Sequence, residues 1–244
     1  MNRWALFIDI EGTSKLFEQN KVPFYDAFDS LLATLYSIGT KVFPETPSRL
    51  FAHQVGGDGV IVVSEFAEGR PETPISIAVI LLQVLLMKGF VGKAGISEGD
   101  FGDVRSCFPS LREIQKDKDS DSRYRLGRGV LTTFPVMGTA LINSHRFATR
   151  PPKGARLAID STLLKDMPLG VIVTKLTTDI SVIDWVHTRT KTMDRIVNEA
   201  KVHLASVVEL EQKLTAYVLG TREIGKTKWG QNTLVLNGCR SLVE

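Results

Sequence analysis

Cysteine is nearly missing from this sequence. Its two copies, Cys107 and Cys239, lie far apart and form neither a Cys-x-x-Cys motif nor a mixed Cys/His ligand spacing. That excludes a disulfide framework and a zinc module. A charge of one sign is lacking too: 30 basic residues against 27 acidic leave a formal net charge of +3. No electrostatic case for a nucleic-acid partner follows. Nor is any apolar run long enough to cross a bilayer. The longest, Ile75 to Met87, contains Ser76 and Gln83 and reads as a buried helix. Asp9 and Glu11 interrupt the first apolar stretch, so a signal peptide is not expected. The expectation is a cytoplasmic protein with no membrane partner.

What is present is ordinary globular material, 43% apolar and 23% charged over 244 residues. The length allows one large domain, read as residues 1–190, with a C-terminal helical extension over 191–244. A β-prone run, Trp4 to Ile10, precedes a helical segment reaching about Ile38, with Gly39 as its expected C-cap. A hairpin over Leu50 to Glu65 follows, then a helix from about Pro74 to Lys88 and a strand at Val91 to Ser97. This β-α-β-β-α-β order predicts an α+β fold with a ferredoxin-like, palm-type sheet. Phe101 to Arg128 has no period and reads as an exposed loop or lid. Beyond it the pattern predicts a helix over Met137 to Thr149, a turn at Pro151 to Gly154, short strands near 155–159, 170–174 and 181–186, and one amphipathic helix from Met193 to about Leu219. The late Gly225-Lys226-Thr227 lacks the upstream glycine of a P-loop.

The hairpin "LFAHQVGGDGVIVVSEF" places Asp58 near its tip. A turn alone would explain Gly56-Gly57-Asp58-Gly59. The predicted topology adds a second fact, because it makes the first strand and the hairpin neighbours, so that Asp9 and Asp58 can face one another. Two such carboxylates suit a pair of divalent cations, Mg²⁺ or Mn²⁺, about 4 Å apart on a triphosphate. Backbone N–H groups from Glu11, Gly12, Thr13 and Ser14, at a helix start, would receive the phosphates.

Four segments, "LFIDIEGTSKL", "HQVGGDGVIVV", "KAGISEGDFG" and "VMGTALINSHRFATRPPKGARLAIDSTLL", fall in the order and spacing of the class III nucleotidyl cyclase catalytic domain, and the chain resembles that family from about Trp4 to Val186. The resemblance implies metal-binding roles for Asp9, Asp58 and the Ile10 carbonyl. It implies that Arg146 stabilises charge on the α-phosphate. It also implies a head-to-tail homodimer, in which metals from one subunit meet base-reading and transition-state residues from the other.

The departures narrow the reading. Ile142 stands where the family has a ribose-orienting asparagine, with Asn143 beside it; Thr13 replaces a phenylalanine; Gln54 and Pro135 replace the lysine and aspartate that read adenine. Gln54 offers a donor and an acceptor to a base, and Phe51 offers a ring. With these positions changed and both metal aspartates kept, the chain looks like the bacterial Pycsar pyrimidine cyclases, which make cyclic UMP or cyclic CMP as an antiphage alarm for a separate effector. UTP is the expected substrate. The alternatives are a cytidylate, adenylate or guanylate cyclase, or an inactive nucleotide-binding dimerisation module. A diguanylate cyclase fits less well, since Gly59-Val60 replaces the Glu-Phe of its hairpin.

Overall fold

Along the first strand, alternate side chains serve opposite faces of one sheet. Trp4, Leu6, Ile8 and Ile10 enter the main hydrophobic core, whereas Ala5 packs in a separate cluster with Val63, Val136 and Ala140. The computed structural model describes residues 3–13, 21–45, 47–103, 123–126, 128–134, 136–220 and 222–239. In chain order the elements are β1 (Arg3–Ile10), α1 (Lys21–Lys41), β2 (Leu50–Val55), β3 (Gly59–Ser64), α2 (Glu72–Met87), β4 (Gly92–Gly99), β5 (Phe101–Asp103), β6 (Arg123–Leu126), β7 (Gly129–Thr132), β8 (Val136–Gly138), α3 (Thr139–Thr149), β9 (Leu157–Asp160), a 3-10 helix (Ser161–Asp166), β10 (Val173–Lys175), β11 (Ile180–Ile183), α4 (Lys191–Ala200), α5 (Val207–Gly220), α6 (Arg222–Gly225) and α7 (Lys228–Leu236).

The seven-stranded sheet runs β10-β11-β9-β4-β1-β3-β2. Every pairing is antiparallel except β4 with β9. Its β4-β1-β3-β2 portion is the ferredoxin-like, palm-type α+β arrangement that the element order predicts. Helix α2 is apolar on nearly all sides because it is enclosed: Ile75 through Leu82 are buried between the sheet and helices α1, α4 and α5. Among the described residues no helix is long and apolar enough to cross a membrane.

The other face of the sheet carries α3, which comes close because β4 has glycines beneath it. A Cβ on Gly95 would strike the Ser144 carbonyl and lie 2.6 Å from the Ala148 nitrogen, and one on Gly99 would lie 2.8 Å from the Ala140 nitrogen. The Gly-Ile-Ser-Glu-Gly spacing is therefore a seat for a helix.

Several boundaries differ from the expectations. Helix α1 continues through Gly39 to Lys41. The segment expected as a loop contains β5 and β6, the latter paired with β7 just beyond it, while residues 104–122 and 127 lie outside the described ones. Val136–Gly138 pairs with β5, so α3 begins at Thr139 rather than Met137. The single helix expected from Met193 is two. Lys201 closes α4 in the left-handed region at φ 55°, and the Ser206 hydroxyl then accepts the Glu209 N–H at 3.2 Å to cap α5. Ser206-x-x-Glu209 is a capping-box spacing that a periodicity count overlooks. Met193, Ile196, Leu210, Leu214 and Val218 from these helices, with Leu234 of α7, join the same core as the sheet.

Candidate functional site

Strand β1 ends beside the β2–β3 turn. Asp9 lies opposite Gly59 of β3 on one side and Lys93 of β4 on the other. Gly56 and Gly57 take φ of 66° and 100°, a conformation that side chains resist, and this turn sets Asp58 immediately before β3. The Thr13 hydroxyl donates to the Asp58 carboxylate, tying the turn after β1 to the hairpin tip. Asp9, Glu11, Thr13 and Asp58 are thus brought together. Ser14 lies outside the described residues, and Ile10 buries its side chain in the core, leaving its backbone for any role at the site.

Lys93 joins the carboxylates. Its Nζ lies 2.9 Å from Asp9 Oδ2 and 2.7 Å from Glu11 Oε1, with all three side chains between 18% and 25% exposed. Burial raises the Asp9 carboxyl above its ordinary range; Lys93 pulls it down, and the charges of Asp58 and Glu11 push it up again. Lys93 itself is held above its usual value: burial alone would lower it, but Glu11 and Asp9 outweigh that. The Glu11 Oε2 accepts the indole N–H of Trp229 at 3.1 Å. Arg156, 1% exposed, donates to the Phe147 carbonyl at 2.9 Å and to the Arg150 carbonyl. Burial lowers its pKa to about 10, against the opposing pull of Glu11.

Hard oxygen donors that already converge on a cation, with further negative charge beside them, fit Mg²⁺ or Mn²⁺. Among the described residues no three His, Cys, Asp or Glu side chains form a complete ligand set. Two carboxylates completed by water and substrate phosphate are the usual Mg²⁺ arrangement.

The remaining candidate residues are not gathered around Asp9 within one chain. Arg146 is exposed on α3, and among the described residues its guanidinium has no hydrogen-bond or ion-pair partner. Ile142, one turn earlier on the same face, is 68% exposed. Gln54 lies opposite Val60, as does Ile8, so its side chain stands on the face away from Asp9. Its Nε2 donates to the Gly57 carbonyl at 2.7 Å, within its own hairpin. Phe51 points to the other face, with the Arg49 guanidinium 5.5 Å from its ring centroid. Gln54 and Phe51 therefore cannot line one base pocket from this strand, a correction to the expectation that pairs them. Pro135 lies outside the described residues.

The sequence reading missed Lys93, Trp229 and Arg156. Lys93 was within reach, since the predicted topology sets β4 beside β1 and a lone lysine between apolar neighbours marks a cross-strand charge pair. Trp229 and Arg156 carry no such signal.

No protein-family model matches the chain, and no curated protein matches it. Solved structures similar to it include a bacterial light-regulated adenylyl cyclase, at 14% identity and TM-score 0.45, with 82% of this chain and 56% of that one covered. The adenylyl cyclase CyaB from P. aeruginosa is similar at 15% identity and TM-score 0.44, with 75% and 93% covered. A class III adenylyl cyclase-like ATP-binding protein from Pseudomonas aeruginosa is similar at 14% identity and TM-score 0.38, with 70% and 36% covered. The chain thus spans little more than half the length of the light-regulated cyclase.

Proposed function

We propose that the chain is a nucleotidyl cyclase. The ribose 3′-hydroxyl of a bound nucleoside triphosphate attacks its own α-phosphate, releasing pyrophosphate and leaving the 3′,5′-cyclic monophosphate. The observation that carries this reading is the approach of Asp9, at the end of β1, and Asp58, in the turn just before β3, with Asp9 and Glu11 already sharing one cationic group, Lys93. Asp9, Asp58 and the Ile10 carbonyl would hold two divalent cations, Mg²⁺ or Mn²⁺; when bound, these neutralise phosphate charge and activate the attacking oxygen. Gly12, Thr13 and Ser14 would receive the triphosphate through backbone N–H groups, whereas the Glu11 N–H expected to join them is already donated to the Val91 carbonyl at 2.9 Å. Attack within one molecule asks the protein mainly to fold the ribose under the phosphate and to balance charge.

Arg146 is assigned the charge that builds on the α-phosphate, acting from a second copy of the chain. Its support is the outward face of α3, where Arg146 and Ile142 are exposed, as is Met137 of the preceding strand β8 at 50%. A partner subunit covering that surface would bring Arg146 to the partner's carboxylates. The substrate is a pyrimidine nucleotide, UTP first, and the product is a signal for a separate effector. A neutral Gln54 and Pro135 cannot act as a lysine–aspartate purine reader. With one Nε2 hydrogen on Gly57, Gln54 keeps an acceptor oxygen for the N3–H of uracil and a second hydrogen for its O4, where cytosine reverses both roles.

The test is to incubate the protein with all four triphosphates and Mg²⁺ or Mn²⁺ and to identify products by mass. Cyclic UMP in excess is the expected result. Faster turnover of CTP changes the base, faster turnover of ATP or GTP removes the pyrimidine assignment, and no turnover favours a binding module. Mixing Asp58→Ala with Arg146→Ala protein should restore up to about a quarter of wild-type activity, because random exchange makes one in four sites intact. No recovery after proven subunit exchange argues for sites within one chain.

A further inference from the structure

Both oxygens of Glu11 are engaged, by groups from distant parts of the chain. Oε1 is 2.7 Å from Lys93 Nζ, and Oε2 accepts the Trp229 indole N–H at 3.1 Å across a separation of 218 residues. Trp229 is no loose surface residue. Helix α7 is capped by the Thr227 hydroxyl and anchored by Thr233, which accepts the Ala155 N–H at 2.9 Å, and by Asn237, which donates to the Ala155 carbonyl at 2.8 Å. Leu234 enters the main core, and the Trp229 ring lies 6.5 Å from that of Tyr217 on α5. A rigid helix therefore holds one oxygen of Glu11 and leaves the other for Lys93.

Lys93 in turn has two carboxylate seats, Asp9 and Glu11. An ammonium and a divalent cation compete for the same oxygen of Asp9, and their like charges repel at such range. Cation loading at Asp9 thus requires Lys93 to be drawn towards Glu11. Glu11 serves as that seat only while its carboxylate faces Lys93, and the charge-assisted bond from Trp229 is what fixes its orientation.

We propose that Trp229 is a positioning residue: through Glu11 it draws Lys93 off Asp9, so that helix α7 sets how readily Asp9 takes a divalent cation. The inference deepens the cyclase reading and rests on its assignment of a cation to Asp9 and Asp58.

The experiment uses the full chain and counts bound Mn²⁺ from the electron paramagnetic resonance of the free ion. Trp229→Phe keeps an aromatic ring and removes the N–H together with the five-membered part of the indole. It should weaken Mn²⁺ binding about three- to tenfold, in the range of one lost hydrogen bond, and the unfolding midpoint reports separately on the packing lost with the ring. In a Lys93→Met background, where nothing competes for Asp9, the same substitution should have no effect. Glu11→Gln, which also takes away a charge beside the cation, should weaken binding in both backgrounds but more where Lys93 is present. Weakening of equal size in both backgrounds, or none in either, overturns the proposal. Mn²⁺ binding that does not respond to Asp58→Asn overturns the cyclase reading itself, whereas Asp58-dependent binding untouched by Trp229→Phe overturns only the role given to Trp229.

Discussion

The two faces of the seven-stranded sheet are made by the same strands and obey opposite rules. On one, Leu6, Ile8 and Ile10 of β1 meet Val60 and Val62 of β3, Ala94 and Ile96 of β4 and the helices α1 and α2, with every one of these side chains at 1% exposure or less. On the other, Phe7 is covered edge-on by His145 of α3, and the next residue on that face, Asp9, meets Lys93. A single residue step along β1 separates a position selected for volume from one selected for charge. The comparison teaches that stability and chemistry are divided by face here, so substitutions on the two faces should fail in different assays.

The largest expected effect is on the charged face. Asp58→Ala should reduce cyclisation by about a thousandfold or more, roughly 4 kcal/mol of barrier, as losing a major transition-state charge partner does. Asp9→Asn should be as inactive yet unfold at or above the wild-type midpoint. Its carboxyl is raised by burial and by Asp58 and Glu11. An acid whose folded pKa lies above its unfolded one is destabilising once ionised, and the amide removes that cost. A large fall in midpoint for Asp9→Asn would mean that the charged face also holds the fold.

Next in size are the apolar face and its counterpart under α3. Ile8→Ala should lose about 2–5 kcal/mol of stability, measured by denaturant unfolding, because a fully buried side chain leaves a cavity. Gly95→Ala adds one methyl on the opposite face, where the Ala148 nitrogen would lie 2.6 Å away. The helix must then shift, at a cost of about 1–3 kcal/mol. Because α3 carries Arg146, Gly95→Ala should also reduce turnover, which Ile8→Ala should not do beyond its loss of folded protein.

How much of this was legible in the sequence follows the same division. The alternation of Trp4 to Ile10, the Gly-Asp hairpin and the element order give the sheet and the Asp9–Asp58 neighbourhood, since each depends on local period and on strand adjacency. Gly39 as a helix end failed because the packing of Ile38 in the core carries α1 through it. The break at Lys201 was missed because apolar spacing stays in phase across it, and only the Ser206 cap marks a new start. Gln54 and Phe51 were paired by nearness in sequence, although a period of two puts residues three apart on opposite faces. Trp229 could not be found at all, since its contact with Glu11 is made by tertiary packing.

The smallest expected effect is a polar cross-tie at the rim of the apolar face. His187, just after β11, has Nδ1 2.8 Å from Asp184 Oδ2 and Nε2 3.0 Å from Glu211 Oε1 of α5. Burial opposes its protonation, but the charges and hydrogen bonds of Asp184 and Glu211 outweigh burial and raise its pKa above the ordinary 6.5. Cys239 beside them stays a thiol, pushed up to about 12 by burial and the same two carboxylates. Since the folded value is the higher one, the protonated clasp contributes fully below pH 6.5, and its contribution is lost as pH rises through the raised value. The pair is partly solvated, so the effect should be about 1 kcal/mol or less. Unfolding midpoints measured from pH 6 upward should fall in the wild type and stay flatter in His187→Gln. An identical slope in both proteins would leave the α5 contact to Leu210, Leu214 and Val218 alone, and the rim would then be as apolar in its energetics as the face it borders.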